Sequence, residues 1–207
     1  MNKTAAGLAA AITTSALILG GCSGGAQSSG DMGGMTMSGT TADASATAHD
    51  TTDVVFTQQM IAHHQQGQDM VALASSHASD PRVKALASKI DQAQGAQVTA
   101  MRGWLVKWGV TTPSGTMTAM PGMEGMPGMG SMNLMSDSDM RQLRQAQGAA
   151  FDKLFVRMMT AHHESGVGMA RGEVAAGTSA QAKALAQNII TDETAEIDEM
   201  RQVQTAP

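Results

Sequence analysis

The stretch Met60-Ile-Ala-His-His-Gln-Gln-Gly-Gln-Asp-Met70 returns as Met159-Thr-Ala-His-His-Glu-Ser-Gly-Val-Gly-Met169, 99 positions later. The register holds beyond the motif without a gap. Phe56 falls on Phe155, Lys84-Ala-Leu-Ala on Lys183-Ala-Leu-Ala, Ile90 on Ile189, Val98 on Ile197, and Met101-Arg102 on Met200-Arg201. The chain therefore carries an internal duplication, and its fold must satisfy the same pattern twice.

That pattern is helical. Phe56, Met60, His63, Gly67, Met70 and Ala74 are spaced four, three, four, three, four, the seam that a bundle helix turns inward. His64 lies about 100° round from His63, at the edge of this face. The second copy repeats the seam through Phe155, Met159, His162, Gly166, Met169 and Glu173. With 2% aromatic residues and no tyrosine, the core must be built from Ala, Val, Leu, Ile and Met. Such small aliphatic cores suit closely packed helices, and little here reads as strand.

Boundaries follow from caps and breakers. The first hairpin spans 51–109: a helix from Thr52 or Asp53 to about Ser76, then a second starting at Asp80-Pro81 and stopping at Gly109. The second hairpin spans 136–204. Ser136-Asp-Ser-Asp139 resembles a capping box opening one long helix that Gly177 closes, and a last helix runs from Ser179 to about Val203. On this last helix Leu185, Ile189, Ile197 and Met200 face inward, and Asp192, Glu193, Glu196, Asp198 and Glu199 largely outward. The expected fold class is all-α: a four-helix bundle made of two duplicated αα-hairpins with approximate two-fold symmetry.

The remaining segments have other compositions. Residues 1–21 read as a signal peptide, with Lys3 before the apolar run Ala5–Leu19. Leu19-Gly-Gly-Cys22 resembles a bacterial lipobox, so Cys22, the sole cysteine, is expected to carry a lipid anchor to the membrane. A plain secretory signal with an incidental cysteine is the alternative. Both place the mature chain outside the cytoplasm, without an internal disulfide or a thiolate metal site. Residues 22–50 form a Gly/Ser/Thr/Ala tether. Residues 110–135 form a linker in which Met117, Met120, Met123, Met126, Met129, Met132 and Met135 recur every third position among Gly and Pro. Pro121 and Pro127 forbid a stable helix there. A net charge of −5 without a Lys/Arg cluster argues against nucleic acid as a partner.

Histidine inside a core seam needs a reason. A buried neutral imidazole must satisfy two ring nitrogens; a metal ion satisfies one and a neighbouring acceptor the other. Methionine one turn before and two turns after the histidine offers thioether on the same face. The candidate ligands are Met60, His63, His64 and Met70, with Met159, His162, His163 and Met169. Imidazole and thioether without thiolate suit Cu(I) and tolerate Cu(II), whereas zinc more often recruits carboxylate or cysteine. Gly67 and Gly166, one turn from the first histidines, leave room for an ion or for close helix approach. The linker methionines, with no core to fill, form a second possible metal-binding set. Glu193 and Glu196 could reach inward as acceptors behind the imidazoles, although Gln97 does not repeat the charge. A carboxylate-bridged di-iron bundle needs Glu-x-x-His pairs, and neither copy has one. No serine or cysteine has an activating neighbour, so no enzyme is expected. His49 and His77 have no counterparts and read as surface residues.

On these motifs the chain resembles the domain of unknown function 305 family. The carrying residues are Phe56-x-x-x-Met-Ile-x-His-His-x-x-Gly-x-x-Met70 and Phe155-x-x-x-Met-x-x-His-His-x-x-x-x-x-Met169, within about Asp50–Arg201. The resemblance implies a secreted or lipid-anchored bacterial protein with a ferritin-like four-helix arrangement, some of whose relatives bind copper and support copper tolerance in the envelope. It marks the eight Met/His residues as signature positions. It also implies that Gly67 and Gly166, where many members carry alanine, loosen the helix and widen a cavity. The leading expectation is a copper-binding lipoprotein that sequesters the ion or passes it to a copper-exchange partner. A metal-free helical interaction or pH-sensing module, and a Met-rich oxidant scavenger, are the alternatives.

Overall fold

The computed structural model describes residues 48–110 and 134–205. The expected signal peptide, the tether with Cys22, and the linker methionines Met117 to Met132 lie outside the described residues. The described part contains five helices: α1 Thr51–His77, α2 Pro81–Lys107, α3 Asp137–Gln145, α4 Gly148–Ala176 and α5 Ala180–Thr205. No described helix is long and apolar enough to cross a membrane.

The long helices begin and end where local chemistry dictates. Asp50 caps α1 by accepting from the amides of Thr52 and Asp53, and Asp53 answers by accepting from the Asp50 amide at 2.7 Å. Asp80 caps α2 ahead of Pro81, and Gly109, at φ +69, turns the chain away after it. Turns of three residues make α1/α2 and α4/α5 antiparallel hairpins. The bundle closes by α1 packing on α4 and α2 on α5.

One departure from the expected architecture concerns the third long helix. Ser136 and Asp139 do form the capping box, but the helix they open ends at Gln145. Ala146 and Gln147 are extended, and Gly148, the first residue of α4, takes the left-handed φ of +58. The break lets α3 bury Met140 and Leu143 in the cluster that holds Met70 and Phe151. His77 stabilises it: its Nδ1 lies 2.9 Å from both the Ala146 carbonyl and Gln147 Nε2, and its ring tilts against Phe151. His77 is therefore a half-buried packing residue and not a surface one. His49, stacked on Trp108 at 4.6 Å, is corrected in the same way.

Both seams are buried throughout. Phe56, Met60, His63, Met70 and Ala74 on α1, and Phe155, Met159, His162, Met169 and Glu173 on α4, are at most 4% exposed. Two apolar clusters fill the interior. One gathers Met70 and Met159 with Ile90, Phe151, Phe155 and Met200; the other gathers Met60 and Met169 with Phe56, Met101, Leu105 and Ile189. Met60 pairing with Met169, and Met70 with Met159, is what an antiparallel α1/α4 crossing gives. Met135, the last linker methionine, belongs to the docked part. It packs against the first cluster, and Gln66 bonds its backbone N–H at 2.7 Å and its carbonyl at 2.9 Å.

The hairpins also exchange carboxylates. Asp53 accepts from the amides of Thr178 (3.1 Å) and Ser179 (2.9 Å) at the start of α5. Its repeat partner Asp152 accepts from the amides of Ser79 (3.1 Å) and Asp80 (3.0 Å) at the start of α2. Each carboxylate satisfies amides that a helix start leaves without intrahelical partners. Asp152→Ala strands two of them and is expected to cost about 1–3 kcal/mol, read as a lower urea midpoint with unchanged slope; Asp152→Asn, still an acceptor, should recover part of it. A midpoint equal to wild type in the alanine variant would show that water reaches these amides.

The exchange is not fully symmetric. Glu173, standing where the first hairpin has Ala74, is buried against Asp53 over Gly177, whose missing side chain leaves the space. Burial, then the hydrogen bond and charge of Asp53, push its carboxyl up to about 8. Glu173 is thus protonated at neutral pH and can donate.

Candidate metal centre

His63 and His162 meet where α1 and α4 cross. Their rings stack with centroids 3.7 Å apart and planes 21° from parallel. His63 Nε2 lies 2.9 Å from the His162 carbonyl, and His162 Nε2 lies 3.1 Å from the His63 carbonyl. A carbonyl only accepts, so each Nε2 carries the proton and donates it across the crossing. His64 and His163 turn toward the second helix of their own hairpins. His64 Nε2 donates to Gln97 Oε1 at 2.6 Å, and His163 Nε2 to Glu196 Oε2 at 3.0 Å. Gln97 and Glu196 are themselves repeat partners, so the duplication preserves the contact while changing its charge.

All four imidazoles are completely buried, and all four Nδ1 atoms lack a hydrogen-bond partner among the described residues. Burial, reinforced by the neighbouring His64, pushes His63 down to about 3; burial holds His64 at about 4. His162 is lowered well below the usual range by burial and then by His63. His63, His64 and His162 are neutral at physiological pH, each with a lone pair on Nδ1. A neutral imidazole whose other nitrogen donates to a carbonyl, amide or carboxylate is the form that metal-ligating histidines take. The donor set therefore fits a metal ion.

Two more buried side chains flank the imidazoles. Gln94 on α2 and Glu193 on α5, again repeat partners, are 2% and 4% exposed. A Cβ on Gly67 would strike the Gln94 amide; one on Gly166 would strike Glu193 Oε2 and come within 3.0 Å of His63 Cε1. The two glycines thus make room for an amide and a carboxyl, and not for an open cavity. His63, His64 and Glu193 each offer a ligand atom within 4.8 Å of the others. Burial, with Glu196 and Asp192 nearby, raises the Glu193 carboxyl well above its ordinary range.

Glu193 and Glu196 correct the expectation that the acidic set on the last helix faces largely outward. Both are buried, while Asp192, Asp198 and Glu199 are exposed. The signal lay in the spacing. Ile189, Glu193, Glu196 and Met200 step four, three, four, as do Ile90, Gln94, Gln97 and Met101, so both sets lie on core seams.

The structure thus brings His63, His64, His162 and His163 together. Met60, Met70, Met159 and Met169 occupy the two apolar clusters, where they pack among aliphatic and phenylalanine side chains.

A family model for the domain of unknown function DUF305 matches residues 53–204. Among solved structures, a predicted secreted DUF305 protein from Streptomyces coelicolor is 32% identical, with a TM-score of 0.63 over 73% of this chain and 89% of its own. A DUF305 fragment from Deinococcus radiodurans is 27% identical, with a TM-score of 0.61 over 75% and 96%. CopM in its Cu(II)-bound form is 30% identical, with a TM-score of 0.58 over 72% and 93%, and CopM has also been solved with Cu(I) and with silver. Curated proteins give no match. A duplicated histidine-bearing hairpin, closed into a bundle and matched over most of its length, places this chain in the DUF305 family.

Proposed function

We propose that the protein is an extracytoplasmic copper-binding lipoprotein that sequesters Cu(I) and Cu(II) or hands them on, supporting copper tolerance, and that it catalyses no reaction. The observation that carries this reading is the set of four buried imidazoles whose Nε2 atoms are all engaged and whose Nδ1 atoms have no partner among the described residues. Burying a polar nitrogen without a partner costs a few kcal/mol, and coordination removes that cost. Metal-bound forms of CopM, a relative of the same fold, support it.

In this reading the histidine layer is the fixed site. Met60, Met70, Met159 and Met169 supply soft sulfur, which favours Cu(I). The linker methionines collect ions at lower affinity and pass them to a copper-exchange partner, while Cys22 holds the chain at the membrane.

Anaerobic Cu(I) titration against a competing chelator tests the proposal. Wild type should bind tightly, and His63/His64/His162/His163→Ala should lose that binding. Four truncations in a core can unfold a bundle, so His64→Gln with His163→Gln serves as a milder variant, checked for helicity and expected to lose at least tenfold in affinity. Deleting residues 116–135 should remove only the weaker binding. Tight binding that survives in the folded histidine variants overturns the proposal.

A further inference from the structure

The two-fold relation between the hairpins pairs each motif histidine with a histidine, yet it pairs Glu193 with Gln94. His63 and His64 therefore have a carboxyl group beside them at a position where the first hairpin supplies an amide. Both side chains are buried, both sit over a glycine, and neither completes a hydrogen bond, although they approach one another. One ligand atom from each of His63, His64 and Glu193 already lies within 4.8 Å of the other two.

We infer that His63, His64 and Glu193 form a site for a first-row divalent cation. This rests on the copper-binding reading above and sharpens it.

The argument is one of charge and donor type. A divalent ion taken out of water needs negative charge close by, and two neutral imidazoles supply none. A carboxylate supplies one unit and a hard oxygen donor, completing a two-histidine, one-carboxylate set. An amide contributes only a carbonyl dipole, which suits an ion that is weakly hydrated and content with nitrogen or sulfur. Within the divalent series such a site binds Cu(II) most strongly. No described basic side chain bonds the Glu193 carboxyl, so a cation that displaces its proton meets no competing ion pair. The glycine beneath it is part of the device: a side chain on Gly166 would push Glu193 off this position.

The test uses the full chain with Cu(II) and Ag(I) as separate probes, Cu(II) being read by its electron paramagnetic resonance signal and both by calorimetry. Wild type should bind one Cu(II). Glu193→Gln, which copies the residue that the first hairpin already accommodates, should weaken Cu(II) at least a hundredfold while leaving Ag(I) within threefold. The inference is overturned if Glu193→Gln binds Cu(II) as wild type does, if it loses both ions equally, or if wild type takes Ag(I) but no Cu(II). Wild type that takes neither ion overturns the copper-binding reading itself, a distinguishable result.

Discussion

Bringing the metal-free protein from pH 6.5 to pH 4.5 is expected to cost it about 3 kcal/mol of stability. His63, His64 and His162 are held neutral in the native state, with His63 at about 3, His64 at about 4 and His162 well below 6.5. In the unfolded chain each returns to about 6.5. Between these values the unfolded state binds more protons, so stability is full above about pH 6.5 and drains away as pH falls toward the native values. Each imidazole contributes a slope of about 1.4 kcal/mol per pH unit. For His63 and His64 together the loss between pH 6.5 and 4.5 is about 5 kcal/mol. The carboxylates held low by hydrogen bonds, Asp50, Asp80 and Asp139, act below 3.8. Glu173, raised to about 8, opposes the histidines: its native form keeps a proton that the unfolded chain releases above about 4.5, so acidification over the same window returns about 2 kcal/mol. The raised Glu193 and the lowered His162 pull in opposite senses, which leaves a net loss of about 3 kcal/mol. Thermal melts followed by helicity at pH 6.5 and 4.5 provide the check. A melting temperature that moves by less than a few degrees would mean that the imidazoles reach water.

The costliest single truncation is expected at Phe155. Its ring is fully buried, stacks on Phe151 at 5.6 Å and belongs to the cluster containing Met70 and Met159. Replacing a buried phenylalanine with alanine costs about 3–5 kcal/mol, through lost transfer energy and the cavity left behind. For a domain of this size that is a fall of roughly 10 °C in Tm. Phe56, its repeat partner, sits in the other cluster, and Phe56→Ala should fall in the same range. Denaturant melts of the two variants measure this directly. A loss below about 1 kcal/mol at Phe155 would show that the surrounding methionines collapse into the cavity, as flexible thioethers can.

Much of this molecule was legible in its residues because the duplication states the pattern twice. The seam from Phe56 to Ala74 identified the inward face of α1, and every residue on it is buried. Asp80-Pro81, Gly109 and the Ser136 capping box marked helix ends through local chemistry that requires no tertiary context, whereas Asp50, read as the end of the tether, is the cap of α1. The break at Ala146 and Gln147 was not legible. It depends on His77, 69 positions away, engaging the Ala146 carbonyl, and on a left-handed Gly148 that has no turn signature beside it. Glu193 and Glu196 were misread for a different reason. Carboxylates amid Asp192, Asp198 and Glu199 look like a solvated face, and charge was weighed above the four-three-four spacing that puts two of them inside. Because Gln94 and Gln97 hold the same positions without charge, comparing the halves residue by residue separates a polar core position from an exposed one. The exchange of Asp53 and Asp152 between hairpins depends on the bundle being closed, and no local motif announces it.

The stacked pair at His63 and His162, with each ring donating to the other residue's carbonyl, has the geometry of an isologous contact, the kind a homodimer makes across its own axis. A homodimer of single hairpins could build the same crossing, but both of its ends would be bound to carry identical residues. Fusing the copies in one polypeptide lifts that restriction. Acid can then accumulate in one hairpin while the other stays neutral at the same positions, as Glu173, Glu193 and Glu196 now do opposite Ala74, Gln94 and Gln97. Covalent tandem fusion is thus what permits a pseudo-symmetric scaffold to hold two unlike halves.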